Sequence, residues 1–108
     1  MPHNTLYKFI GYIPESDLER VKTALFNAGA GCFDGYSHCS WQVLGVGQFK
    51  PLKGANPAIG EIEKIEYVSE WRVETVVPTD KLSAVVAAYK TAHPYEVPAY
   101  DVYEMVNV

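Results

Sequence analysis

The feature that most constrains the fold is an internal echo. Ile13-Pro14-x-x-x-Leu18-x-x-Val21-x-x-Ala24-Leu25 returns as Val77-Pro78-x-x-x-Leu82-x-x-Val85-x-x-Ala88-Tyr89, at an offset of 78 − 14 = 64. Each copy reads as a strand ended by proline, which removes a ladder donor and fixes φ. A helix follows, because Leu18, Val21 and Leu25, like Leu82, Val85 and Tyr89, recur on one helical face. With a further strand after each helix, two tandem units make βαββαβ, the ferredoxin-like split unit. The expected fold class is α+β, an antiparallel sheet covered on one face by two helices, with an extra hairpin between the halves.

The rest of the chain fits this frame. Aromatic and β-branched residues mark a first strand over 6–13. Ser16-Asp17-Leu18-Glu19 has the form of a capping box, and Gly29-Ala30-Gly31 supplies the helix stop. A second strand is expected over 40–49, with Trp41, Val43 and Val46 on alternating positions and a bulge or bend at Gly45 and Gly47. Breakers make 51–60 a loop. Separate strands are expected over 61–67 and 71–77. Thr79 or Asp80 can cap the second helix, His93-Pro94 breaks it, and 99–105 forms the last strand.

At 108 residues this is one domain, 1–108. With 48% apolar residues the chain can bury a core, and its net charge of −4 argues against nucleic acid, which selects a basic face. No apolar run approaches the ~20 residues that span a bilayer, so no membrane role is expected. The opening Met1-Pro2-His3-Asn4 has neither the basic nor the apolar stretch of an export signal, which makes a cytoplasmic location the expectation. Cys32 and Cys39 match no C-x-x-C spacing and read as reduced thiols.

Chemistry concentrates in two polar clusters, Tyr36-Ser37-His38-Cys39-Ser40 and His93-Pro94-Tyr95-Glu96-Val97-Pro98. His38, Cys39, His93 and Glu96 are ligand types for a divalent first-row metal, although no pair has helical ligand spacing. Each histidine has a blander role open to it, as a hydrogen-bond partner of backbone. Pro94 and Pro98 around Tyr95-Glu96 read either as a helix stop or as a rigid shoulder that holds a ligand or a neighbouring subunit. Nucleophilic catalysis finds little support. His38 and Cys39 would point to opposite faces of a strand, and no Gly-x-Ser-x-Gly or phosphate-binding fingerprint is present. The aromatic residues, Trp41, Trp71, Tyr67, Tyr95, Tyr100 and Tyr103 among them, exceed what a small core needs, which points to a subunit interface.

Three blocks carry a resemblance: Ala28-Gly29-Ala30-Gly31 with Tyr36-Ser37-His38-Cys39-Ser40, Gly54-Ala55-Asn56-Pro57-x-Ile59-Gly60, and Ala92-His93-Pro94-Tyr95-Glu96-x-Pro98-Ala99-Tyr100-Asp101. From about Tyr7 to about Tyr103 the chain resembles the inserted domain of the NIF-three-like proteins of the YqfO type. The resemblance implies a subunit similar to CutA and PII signalling proteins, assembled as a trimer. It also implies a chain that corresponds to the insert alone, without the flanking segments that carry the family's dinuclear metal site. Hydrolase and cyclohydrolase labels therefore do not transfer. Val97 stands where the family's last block has a second acid, so a role needing both carboxylates is in doubt while Glu96 stays.

The expectation from all of this is a homotrimeric binding or assembly module paired through strand edges, not an enzyme. Its site is expected at Tyr36, His38, Cys39, His93, Tyr95 and Glu96, in a cleft between subunits. Three alternatives remain: a CutA-type divalent-metal-binding protein on His38, Cys39, His93 and Glu96, an enzyme acting on a nucleotide or hydrolysable substrate, and a partner of a separately encoded NIF-three-like protein.

Overall fold

The computed structural model describes residues 5–106. Strand β1 (Leu6–Pro14) leads through a 3-10 turn into helix α1 (Leu18–Asn27), and β2 (Ser40–Phe49) and β3 (Glu66–Pro78) follow. A second 3-10 turn leads into helix α2 (Leu82–Ala92), and β4 (Tyr100–Glu104) closes the sheet in the order β2-β3-β1-β4. Every ladder is antiparallel. This is the βαββαβ arrangement that the echo implies.

The echo holds at residue level. Pro14 and Pro78 have nearly the same backbone angles, φ −54° and −62°, and each precedes a three-residue 3-10 turn and a helix that starts at leucine. That turn explains why the capping box does not form. Ser16 sits inside the turn and donates to Asp17 instead of reaching the helix amides. Thr79 likewise bonds the Thr5 carbonyl, and neither it nor Asp80 caps α2.

Alternation along β1 and β3 sends Phe9, Ile13, Val73 and Val77 to the helix-covered face. There they meet Leu18, Val21 and Leu25 of α1 and Val85 and Tyr89 of α2, all buried. Burying each such side chain is worth about 1.5–3 kcal/mol. Gly11 lies on the same face, where a Cβ would stand 2.7 Å from the Tyr89 ring. Glycine here lets the helix carry a full tyrosine against the sheet.

The middle of the chain departs from expectation. Residues 61–65 form turns, not a strand, and β3 is one 13-residue strand that absorbs Glu66 and Tyr67. The additional hairpin is thus the overlong β2–β3 ribbon, which pairs as far as Phe49↔Glu66 while β1 reaches only Glu70 of β3. The register is constant from Ser40↔Thr75 onward, so Gly45 and Gly47 make no bulge. Val46 faces the side opposite Trp41 and Val43, since strand residues alternate. No helix among the described residues is long and apolar enough to cross a membrane.

Candidate functional site

The geometry of the site begins with one altered rung of the sheet. The β1–β4 ladder runs from Tyr7↔Glu104 to Gly11↔Tyr100, so the next rung would pair Tyr12 with Ala99. The Tyr89 hydroxyl stands in that rung instead. It accepts from the Tyr12 N–H at 3.0 Å and donates to the Ala99 carbonyl at 2.7 Å. Just past the end of α2, His93 Nε2–H donates to the Tyr12 carbonyl at 2.8 Å. Tyr89 of α2 and His93 just after it thereby satisfy both backbone groups of Tyr12 that a longer β4 would have taken.

His93 is buried, and its other ring nitrogen is also engaged, with Nδ1 accepting the Tyr95 N–H at 3.1 Å. A carbonyl on one side and an N–H on the other assign the neutral ring protonated at Nε2. Burial pushes the imidazole below its ordinary pKa against the opposing pull of the Tyr12 carbonyl. With both nitrogens committed within the chain, His93 has no lone pair to offer a cation. Its position here is that of a bracket tying the end of α2 to β1.

Because the rung is opened in this way, residues 93–99 stand off the sheet and form one wall of a cleft of about 460 Å³. The loop after β2 forms the other wall. Phe49, Pro57, Ile59 and Val97 give it an apolar lining, and Tyr12, Glu70, Tyr95 and Glu96 are among its polar groups. The Asn56 N–H donates to a Glu96 carboxylate oxygen at 3.3 Å, which fastens loop to shoulder. Tyr95 lays its ring against Phe49 at 5.8 Å and donates its hydroxyl to Glu70 at 3.0 Å. Burial, then the Glu70 carboxylate, raise the Tyr95 phenol above the ordinary tyrosine value, so it stays a donor at neutral pH. Gly47 makes room for Glu70, whose carboxylate occupies the space a Cβ would need.

The six residues expected to share a site divide between two ends of the sheet. Tyr95 and Glu96 line the cleft, and His93 supports it from behind. Tyr36, His38 and Cys39 lie by the opposite end, where Cys39 N–H bonds the Gly31 carbonyl and its own carbonyl accepts from Thr75. Thr75 pairs with Phe9, three residues from Tyr12 on β1, a separation of about 10 Å along the strand. His38 packs its ring on Phe26 at 4.8 Å and Tyr36 is exposed. A single subunit therefore does not bring the four expected metal ligands together, and no group of three or more His, Cys, Asp or Glu among the described residues is placed to hold a metal. Phe49, Glu70 and Tyr12 were not anticipated. Gly47 within a strand was the available signal of a close approach.

No protein-family model matches the chain. It is 48% identical over 101 residues to the "GTP cyclohydrolase 1 type 2 homolog" of Mycobacterium tuberculosis, a match covering 94% of this chain and 27% of that protein. Among solved structures, the Bacillus cereus protein related to NIF3 superposes with a TM-score of 0.84 at 37% identity, over 99% of this chain and 27% of the other. The divalent cation tolerance protein CutA from Archaeoglobus fulgidus superposes with a TM-score of 0.67 at 17% identity, covering 95% of this chain and 86% of that one. The chain is thus an α+β domain with the CutA-like fold. More particularly, it matches over nearly its whole length the domain of that fold in NIF3-related proteins, and it spans about a quarter of the length of the curated relatives.

Proposed function

We propose that this chain is a non-enzymatic binding module that assembles as a homotrimer and holds a small ligand in the cleft between the 50–65 loop and the 93–99 shoulder. The observation that carries the reading is the meeting of two distant sequence blocks on one cavity. Gly54-Ala55-Asn56-Pro57 and His93-Pro94-Tyr95-Glu96 are joined by the Asn56–Glu96 hydrogen bond and together bound a volume within the ~300–1,000 Å³ of small-molecule sites. The lining offers apolar surface, phenols and carboxylates, which suits recognition better than nucleophilic turnover. The cyclohydrolase label of the longer relatives is not carried over to this chain.

Assembly is supported by β2. It is an edge strand with unpaired backbone groups on its outer side, and Trp41, Val43, Leu44 and Val46 are exposed along it. Such an edge pairs with another chain unless it is blocked. The likeness to CutA-like subunits makes three copies the proposed number, in the cytoplasm, with a separately encoded NIF3-like protein as a further candidate partner. Sedimentation equilibrium tests the assembly. The chain should sediment as a three-chain species, and Leu44→Lys with Val46→Lys should shift it toward single chains without loss of circular dichroism. A single-chain species for the unsubstituted protein would overturn the reading.

A further inference from the structure

The cleft has a sign as well as a shape. Among the described residues its charged lining groups are Glu70 and Glu96; the nearby Arg72, which reaches the Tyr12 hydroxyl, is not in the lining and is paired with Glu74. Both carboxylates are held in place within the protein, Glu70 by the Tyr95 hydroxyl and Glu96 by the Asn56 amide. Each of these bonds uses one acceptor position of a carboxylate that has about four, so acceptor capacity is left toward the cavity. The remaining wall, with Phe49, Pro57, Ile59 and Val97, is apolar.

We propose that the cleft selects a small organic cation, a protonated amine with an apolar or aromatic body, the ammonium meeting Glu70 and the body lying among Phe49, Ile59 and Val97. This rests on the binding-module reading above and adds the class of ligand. Charge complementarity carries it. An anionic ligand such as a nucleotide phosphate would face two carboxylates while the nearest guanidinium, Arg72, is already paired with Glu74, which is costly in a partly desolvated site. An ammonium gains charge-assisted hydrogen bonds in the same place. Gly47 contributes by leaving the Glu70 carboxylate the space it occupies.

The test is a titration followed by amide chemical shifts, with three probes that share a body and differ in the head: phenethylammonium, 2-phenylethanol and 3-phenylpropanoate. Phenethylammonium should shift the amides of Gly47, Phe49, Asn56 and Tyr95 and bind at least about fivefold more tightly than the alcohol, with the carboxylate weakest. Glu70→Gln should abolish the preference for the amine over the alcohol. Equal binding of amine and alcohol would overturn the cation proposal and leave the cleft a binding site. Absence of binding by all three would overturn both readings. If the cleft amides instead respond only to protein concentration, a second copy of the chain occupies the cleft and the proposal falls.

Discussion

Replacing Tyr89 by phenylalanine removes one oxygen atom and tests the altered rung directly. Tyr89 is fully buried, and its ring contacts with Phe9 at 5.0 Å, His93 at 5.1 Å and Tyr100 at 5.8 Å survive in phenylalanine. What is lost is the bridge between the Tyr12 N–H and the Ala99 carbonyl. Leaving a buried polar group without its partner costs about 1–3 kcal/mol, a cost that falls here on the Tyr12 N–H, whereas Ala99 is exposed and water can take over its carbonyl. The expected loss is therefore about 1–3 kcal/mol, a sizeable part of the ~5–15 kcal/mol typical of a domain. At roughly 4–8 °C per kcal/mol for small domains, the thermal midpoint should fall by at least ~4 °C. Thermal unfolding measures the midpoint and urea denaturation the free energy, both at fixed protein concentration, since self-association would otherwise shift the apparent stability. Hydrogen exchange at the Tyr12 amide should accelerate more than at Phe9 or Ile10. A loss under about 0.5 kcal/mol with the Tyr12 amide still protected would refute the reasoning.

Other outcomes follow from the same geometry. His93 resists protonation in the folded state while the unfolded chain takes up its proton near pH 6.5, so stability should fall as pH drops through that value and level off below the folded pKa. His93→Gln should remove that part of the slope in denaturation curves recorded between pH 8 and pH 5, and an unchanged slope would mean the imidazole is not held neutral. Gly11→Ala drives a methyl against the Tyr89 ring and should cost about 1–3 kcal/mol by thermal unfolding. Gly47→Ala should behave differently, because a Cβ there displaces only the end of the Glu70 side chain. It should leave the unfolding midpoint nearly unchanged while moving the Tyr95 hydroxyl and ring signals in NMR spectra.

The frame of the molecule was legible because binary pattern and proline placement repeat in both halves. Tyr89 could be read only as a helix-face residue, and His93 as a helix stop, a candidate ligand or a hydrogen-bond partner of some backbone group that the sequence does not name. Their real partners are the backbone groups of Tyr12, and backbone has no sequence signature. The long β3 strand was hidden because Glu66, Ser69 and Glu70 interrupt its apolar pattern where the ribbon extends past β1. The cleft was half legible. Tyr95 and Glu96 stood out as a pre-organised shoulder, whereas Glu70 and Phe49 reach it through long-range pairing. Tyr36, His38 and Cys39 were grouped with them across a cleft between subunits; within one chain the antiparallel βα units set the turns after the two helices at opposite ends of the sheet.

The claim that this chain is an assembling, ligand-binding module is met most directly by native mass spectrometry of the untagged protein at low micromolar concentration. The account expects three-chain ions that gain noncovalent mass from phenethylammonium, a gain that Glu70→Gln loses. Single-chain ions, or three-chain ions that stay bare both as purified and after incubation with the amine, would contradict it.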